Sequence, residues 1–203
     1  MSLKSRLIIL FFLAVHFNLL AQNGRLSGLY FDPALYYGSV WPQNKTVSYL
    51  VKDHLRAFQL NIGVSTNGTR DWHKYLHYPR LGVGYYHSNL GNDNIFGKVN
   101  AFYGTAAIKT FNSRLPVNLE HNLTAGFGFM NKSYYLHKNS LDITFGSPVN
   151  IFVQYALVVP VRITPTFEIY GGGCFTHCSV AKIVRPNYGL HMLLLRAGTR
   201  INL

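Results

Sequence analysis

The sequence predicts an all-β protein, an eight-stranded antiparallel transmembrane β-barrel, and three observations predict it. Composition is the first: 48% of the residues are hydrophobic and 15% aromatic, while only 13% are charged, against about 25% in an ordinary soluble domain. The second is that no segment beyond the N-terminal one has the ~18 consecutive apolar residues of a spanning helix. The third is a series of long segments in which apolar residues alternate with polar or small ones. A chain that crosses hydrocarbon without helices must close its strands into a barrel, because lipid offers no partner to an open edge. A secreted soluble β-sandwich would use the same alternation and is the alternative reading.

The chain begins with Lys4 and Arg6, an apolar run from Leu7 to Leu20, and Ala21-Gln22. A basic start, a hydrophobic core and a small residue before the cut describe a signal peptide over residues 1–21. Leu19 is larger than the ideal residue at that place. The alternative is an uncleaved anchor, although the run is shorter than the ~20 residues of a spanning helix. Residues 22–203 then form one exported barrel domain, with the outer membrane of a bacterial cell as its expected place.

The strands follow in order. Residues 28–40 are Tyr-rich and interrupted by Pro33. Phe58, Leu60, Ile62 and Val64 alternate with Gln59, Asn61 and Gly63, and Leu81, Val83 and Tyr85 with Gly82 and Gly84. Residues 97–111 alternate weakly. Leu119 to Phe129 and Val149 to Val161 show the pattern at length, and the last two strands fall near 165–178 and 189–202. Turn-like segments separate them: Asn67-Gly68, Asn89 to Asn94, Ser113 to Pro116, Asn131 to Ser140 and Thr164-Pro165. Residues 48–55 could add one or two helical turns outside the membrane. Eight strands close a barrel whose interior side chains fill, which argues against a pore.

Cys174 and Cys178 lie four residues apart on a strand, ~13 Å at Cα, too far for a disulfide. They read as free thiols of a packed interior. A metal pair with His177 is disfavoured because His177 faces the other way, and no metal or other cofactor is expected. The net charge of +12 suits an anionic partner. For an exported barrel that partner is the phosphate-rich outer-membrane lipid rather than nucleic acid, and part of the excess belongs to solvated loops. Trp41, Trp72 and the many tyrosines read as girdle or loop anchors.

Side-chain direction in the last hairpin follows from its charges. A carboxylate in hydrocarbon is costly, so Glu168 faces inward. Arg196 and Arg200 do the same, with Glu168 and Glu120 as interior partners for Arg196, Arg200 or Arg80. His177, Ser179 and His191 then lie together on the lipid face, beside the loop 180–188, provided no bulge at Gly171-Gly172-Gly173 breaks the count. His177 and Ser179 are ~7 Å apart at Cα on one face, so their side chains can meet as base and hydroxyl. His121 also points outward, without a comparable set of partners, and reads as interfacial.

These residues carry a family resemblance. Phe175-Thr176-His177-Cys178-Ser179, followed by Pro186-Asn187-Tyr188-Gly189 and a final strand, resembles the outer-membrane lipid A 3-O-deacylases, in the form often labelled acyloxyacyl hydrolase. Gly63 to Trp72, Pro79 to Gly84, Gly126-Phe127-Gly128 and Gly146 to Asn150 extend the likeness. The resemblance implies an eight-stranded barrel that hydrolyses the ester at position 3 of lipid A in lipopolysaccharide. By position, Ser179 matches the nucleophile and His177 the general base. Asn187 matches an oxyanion donor, assisted by a backbone N–H near Ala181. Two positions depart from the pattern: Val180 replaces an Asn, and His191 stands where the triad glutamate falls. A neutral His191 could accept from His177 and fix its tautomer, but offers no negative charge. The competing reading is a non-catalytic barrel that binds lipopolysaccharide or a partner through basic loops.

Overall fold

A computed structural model describes residues 28–110, 118–181 and 183–203. The signal peptide over 1–21 and the turn at Ser113 to Pro116 lie outside the described residues. Eight antiparallel strands close into a barrel in sequence order: β1 (Leu29–Trp41), β2 (Leu55–Ser65), β3 (Arg80–Asn89), β4 (Lys98–Lys109), β5 (Glu120–Met130), β6 (Val149–Arg162), β7 (Phe167–Ser179) and β8 (Leu190–Asn202). Two short helices stand outside the wall. The first, α1 (Lys45–Leu50), has Asn44 as N-cap, whose side chain accepts from the Val47 N–H; it falls slightly before the turns expected at 48–55. The second, α2 (Asp71–Tyr75), is not foreshadowed by the alternation.

Alternation of burial along every strand is the physical signature of the wall. Outward side chains such as Leu35 (69% exposed) and Leu195 (70%) stand free, far more apolar surface than water tolerates and what hydrocarbon requires. The inner face divides by height. Call the end that carries the connections 42–54, 90–97, 131–148 and 180–189 the upper end, and the end that carries both β1's start and β8's finish the lower end. In the lower half, Arg80 bonds Glu120 (2.5 Å) and Glu168 (3.1 Å), and Arg200 bonds Glu120 (2.7 Å), Glu168 (3.0 Å) and Asp32 (3.1 Å). Arg196 turns to Asp32 (3.5 Å) and the Tyr170 hydroxyl (3.0 Å), so its carboxylate partner is Asp32 rather than Glu168 or Glu120. Three cations and three anions thus neutralise one another out of water.

The upper half is plugged by apolar side chains: Tyr86, Phe96, Phe145, Phe152, Leu190 and Met192 are all buried. Several come from loops rather than strands, so the connections 90–97 and 131–148 fold into the mouth of the barrel. Cys174 and Cys178 are free and buried in this interior.

Pro33 does not interrupt β1. The β1–β2 ladder runs through it, opposite Leu60. Only the β8 side lapses, at Asp32 and Pro33, and resumes at Ala34 opposite Gly198. A residue without an N–H removes the bond on one side of a strand and leaves the other intact.

Candidate active site

Pairing along β7 is unbroken from Ile169 to Cys178 on the β8 side, and through Gly171, Gly172 and Gly173 on the β6 side. There is no bulge at the glycines. Gly172 points inward, where a Cβ would lie 2.0 Å from the Leu157 carbonyl oxygen, whereas a Cβ on outward-pointing Gly173 would meet nothing within 4 Å. The even positions are buried and the odd ones reach the outer wall, so His177 and Ser179 share the lipid face at the top of the strand.

There the His177 Nε2 lies 3.0 Å from the Ser179 Oγ, hydrogen-bond distance between a base and a hydroxyl. His191 sits directly opposite His177 on β8. The two rings are 4.6 Å apart at their centroids and inclined by 56°, and Phe175 packs on the other side of His191 at 5.4 Å. This is ring packing rather than a hydrogen bond. The buried His177 Nδ1 makes no hydrogen bond of normal geometry among the described residues. The expectation that His191 accepts from His177 is therefore not met. Side chains directly opposite on paired strands stand side by side, which brings the imidazoles into tilted ring contact.

Asn187 comes back over this pair. Its Oδ1 accepts the Val180 N–H at 3.1 Å, which fixes the amide and leaves its Nδ2 hydrogens as donors. Ala181 adopts a left-handed backbone (φ 52°), turning the chain away immediately after the dyad. Gly189, also left-handed at φ 68°, returns it so closely that a Cβ would lie 2.8 Å from the His177 Cε1 and 3.0 Å from the Ser179 Cβ. Gly189 is a site residue that reasoning from side-chain chemistry overlooks. Its signal was the Asn-Tyr-Gly run before a strand, a turn signature.

The loop 131–148 buttresses this return. Tyr188 N–H donates to the Ile143 carbonyl (3.2 Å) and Gly189 N–H to the Thr144 carbonyl (3.0 Å). Asp142 holds that segment by accepting from Thr144 N (3.0 Å), Thr144 Oγ1 (2.5 Å) and Phe145 N (3.2 Å); burial pushes its carboxyl above the usual range, against the pull of these bonds. Gly146 packs against the returning loop, where a Cβ would meet the Pro186 carbonyl oxygen at 2.5 Å. Tyr134, Arg185, Pro186, Asn187 and Tyr188 surround a polar depression of about 660 Å³ at this end.

Below the dyad the outer wall is hollowed on both sides of Phe175. One shallow groove of about 680 Å³ runs over Gly82, Gly104, Ala106 and Ala125 to Tyr155 and Phe175. The other, about 710 Å³, runs from Tyr155 and Leu157 across Gly173, Leu193 and Leu195 to Ser39 and His54. His121 is better partnered than its sequence suggested: its Nε2 meets Thr110 Oγ1 at 2.8 Å and its Nδ1 meets Tyr155 Oη at 2.7 Å. Among the described residues no group of three or more His, Cys, Asp or Glu is arranged to hold a metal.

A closed eight-stranded barrel with an apolar outer wall and a filled interior defines a small membrane barrel of the bacterial outer-membrane type. The fold is similar to that of two solved structures. Neisserial surface protein A matches at 16% identity over 87% of this chain and 98% of that one, with a TM-score of 0.56. The outer membrane enzyme PagL matches at 12% identity over 85% of this chain and 99% of that one, with a TM-score of 0.55. At these identities the likeness is one of fold. No family model matches the chain, and neither does any curated protein sequence.

Proposed function

We propose that this protein is an outer-membrane esterase that removes the ester-linked acyl chain at position 3 of lipid A, with Ser179 as nucleophile and His177 as general base. The carrying observation is the 3.0 Å contact between Ser179 Oγ and His177 Nε2 on the wall that faces lipid. The sequence resemblance to lipid A deacylases supports the substrate, and one barrel of similar fold is described as an outer membrane enzyme.

Ser179 Oγ attacks the acyl carbonyl carbon while its proton passes to His177 Nε2. The carbonyl electrons move to oxygen, and the Nδ2 hydrogens of Asn187 and a backbone N–H near Ala181 receive that charge. The carbon–oxygen bond to the sugar breaks, and the sugar oxygen leaves with the proton held by His177. Water, deprotonated by His177, then releases the fatty acid and restores Ser179. The released chain has an apolar bed in the groove that runs from Phe175 over Ala125 and Gly104, and the depression around Arg185 and Tyr188 takes the polar headgroup.

His191 gives His177 no anionic partner, so turnover is expected to be slow for a serine hydrolase. Mass spectrometry of lipid A from cells with and without the protein tests the reading. Loss of one hydroxyacyl chain is expected with the wild type and not with Ser179→Ala, and His191→Glu is expected to raise the rate by about tenfold or more. Unchanged lipid A in a membrane that contains the ester, or a Ser179→Ala variant that still removes it, sinks the proposal.

A further inference from the structure

The second wall groove ends on a polar cluster that the catalytic reading does not use. On β1, Tyr37, Ser39 and Trp41 all point outward near the upper rim. The Ser39 Oγ lies 3.1 Å from the His54 Nδ1, and the Tyr37 ring packs on that imidazole with centroids 5.2 Å apart. His54 Nε2 has no partner among the described residues. Arg56, the second residue of β2, lies opposite Tyr37 in the ladder and points outward. Among the described residues no carboxylate pairs with its guanidinium.

The corner is built rather than incidental. The Asn89 side chain spans it, accepting the Arg56 N–H (2.7 Å) and donating to the His54 carbonyl (3.0 Å). The nearest carboxylate in sequence, Asp53, spends its Oδ1 on the His54 N–H at 2.7 Å. Few acids are left on the surface to offset its cations. Of the seven acids in the chain, Asp32, Glu120, Glu168 and Asp142 are buried, and Asp93 is paired with Lys98.

An arginine on the outer wall of a barrel is tolerated at the interface, where phosphates lie, and not in hydrocarbon. We infer that Arg56, His54 and Ser39 bind the phosphate of a membrane lipid whose hydrocarbon chain lies in the groove floored by Gly173 and walled by Leu193 and Leu195. The groove gives the site its selectivity for a lipid over free phosphate. Ser39 stands opposite Leu193, and Leu193 opposite Phe175, so the phosphate station is two strand spacings, ~10 Å, from the strand that carries His177 and Ser179. The inference stands whether or not Ser179 is a nucleophile.

Trp41, two residues from Ser39 and 57% exposed, reports on the site. In a Trp72→Phe protein, Trp41 fluorescence would be followed in bilayers that mix brominated phosphatidic acid with brominated phosphatidylcholine. Phosphatidic acid is expected to quench with a relative binding constant about fivefold higher. The preference is expected to fall to near one in Arg56→Gln and in the double variant Ser39→Ala, His54→Gln, and to persist in Lys138→Gln, with the barrel's heat-shifted migration on gels reporting that each variant is folded. Inorganic phosphate, which has no chain to fill the groove, is expected not to displace the lipid. Equal quenching by the two lipids, a preference that survives in folded Arg56→Gln, or displacement by inorganic phosphate at equal concentration overturns the inference.

Discussion

Between Ser179 and Leu190 the chain passes through left-handed backbone at Ala181 and again at Gly189. At the second turn the backbone lies against His177 and Ser179, with no room for a methyl group. Gly189→Ala is therefore expected to cost twice, in backbone strain of about 1 kcal/mol and in displacement of the imidazole from Ser179. The proposed hydrolysis should fall by about 100-fold or more while the barrel stays folded, which activity and circular dichroism measured on one preparation will show. At this scale the sequence was readable wherever residues lie close along the chain. His177, Ser179 and His191 share a face by strand parity alone, and the structure places them so. What the alternation could not supply was ring orientation, so the expected bond from His177 to His191 turned out to be a packing contact. Ser39, His54 and Arg56 also escaped notice, because His54 lies in a connection and alternation does not set the β1–β2 register that brings it to Ser39.

Among the strands, β7 shows how two neighbouring glycines can have unrelated reasons. Gly172 faces the interior, where the backbone of β6 leaves no space for a Cβ; Gly173 faces outward into an empty groove. Gly172→Ala is expected to lower stability in detergent by about 1–3 kcal/mol, and Gly173→Ala to change it by no more than about 0.5 kcal/mol. Denaturant titration of the two variants checks the contrast, and equal losses would mean that the strand is offset from the register described. Element positions were largely legible because alternation is a strong signal over ten or more residues. Both short helices sit in connections, where period two carries no information, and α2 was missed altogether. Pro33 looked like a break and is not one, since a proline disables only the ladder on its own N–H side.

The whole molecule is held by two interiors stacked on one axis. Below, three arginines and three carboxylates satisfy one another; above, loop side chains and strand side chains form a dry plug. Removing one member of the ionic set leaves buried charge without its partner, so Glu120→Gln is expected to lower stability by about 3–5 kcal/mol. The shift in denaturation midpoint of the folded barrel in detergent measures it. Closure was predictable from the even strand count and from the cost of open edges in lipid, and the inward charges from the cost of the alternative. The plug was not, because Phe96 and Phe145 lie outside every strand that the alternation marks, and only the folded mouth of the barrel shows that they are core.

A filled cylinder is mechanically closer to a rod than to a tube, and it offers nothing to ligands arriving along its axis. The Ser179–His177 pair opens sideways, so the substrate of the proposed function travels within the sheet of lipid itself. For such a protein the quantity that governs encounter is the mole fraction of the partner among neighbouring lipids, not its concentration in the surrounding water. Diluting the bilayer with inert lipid should slow the proposed reaction at constant total lipid, and adding more aqueous volume should leave it unchanged.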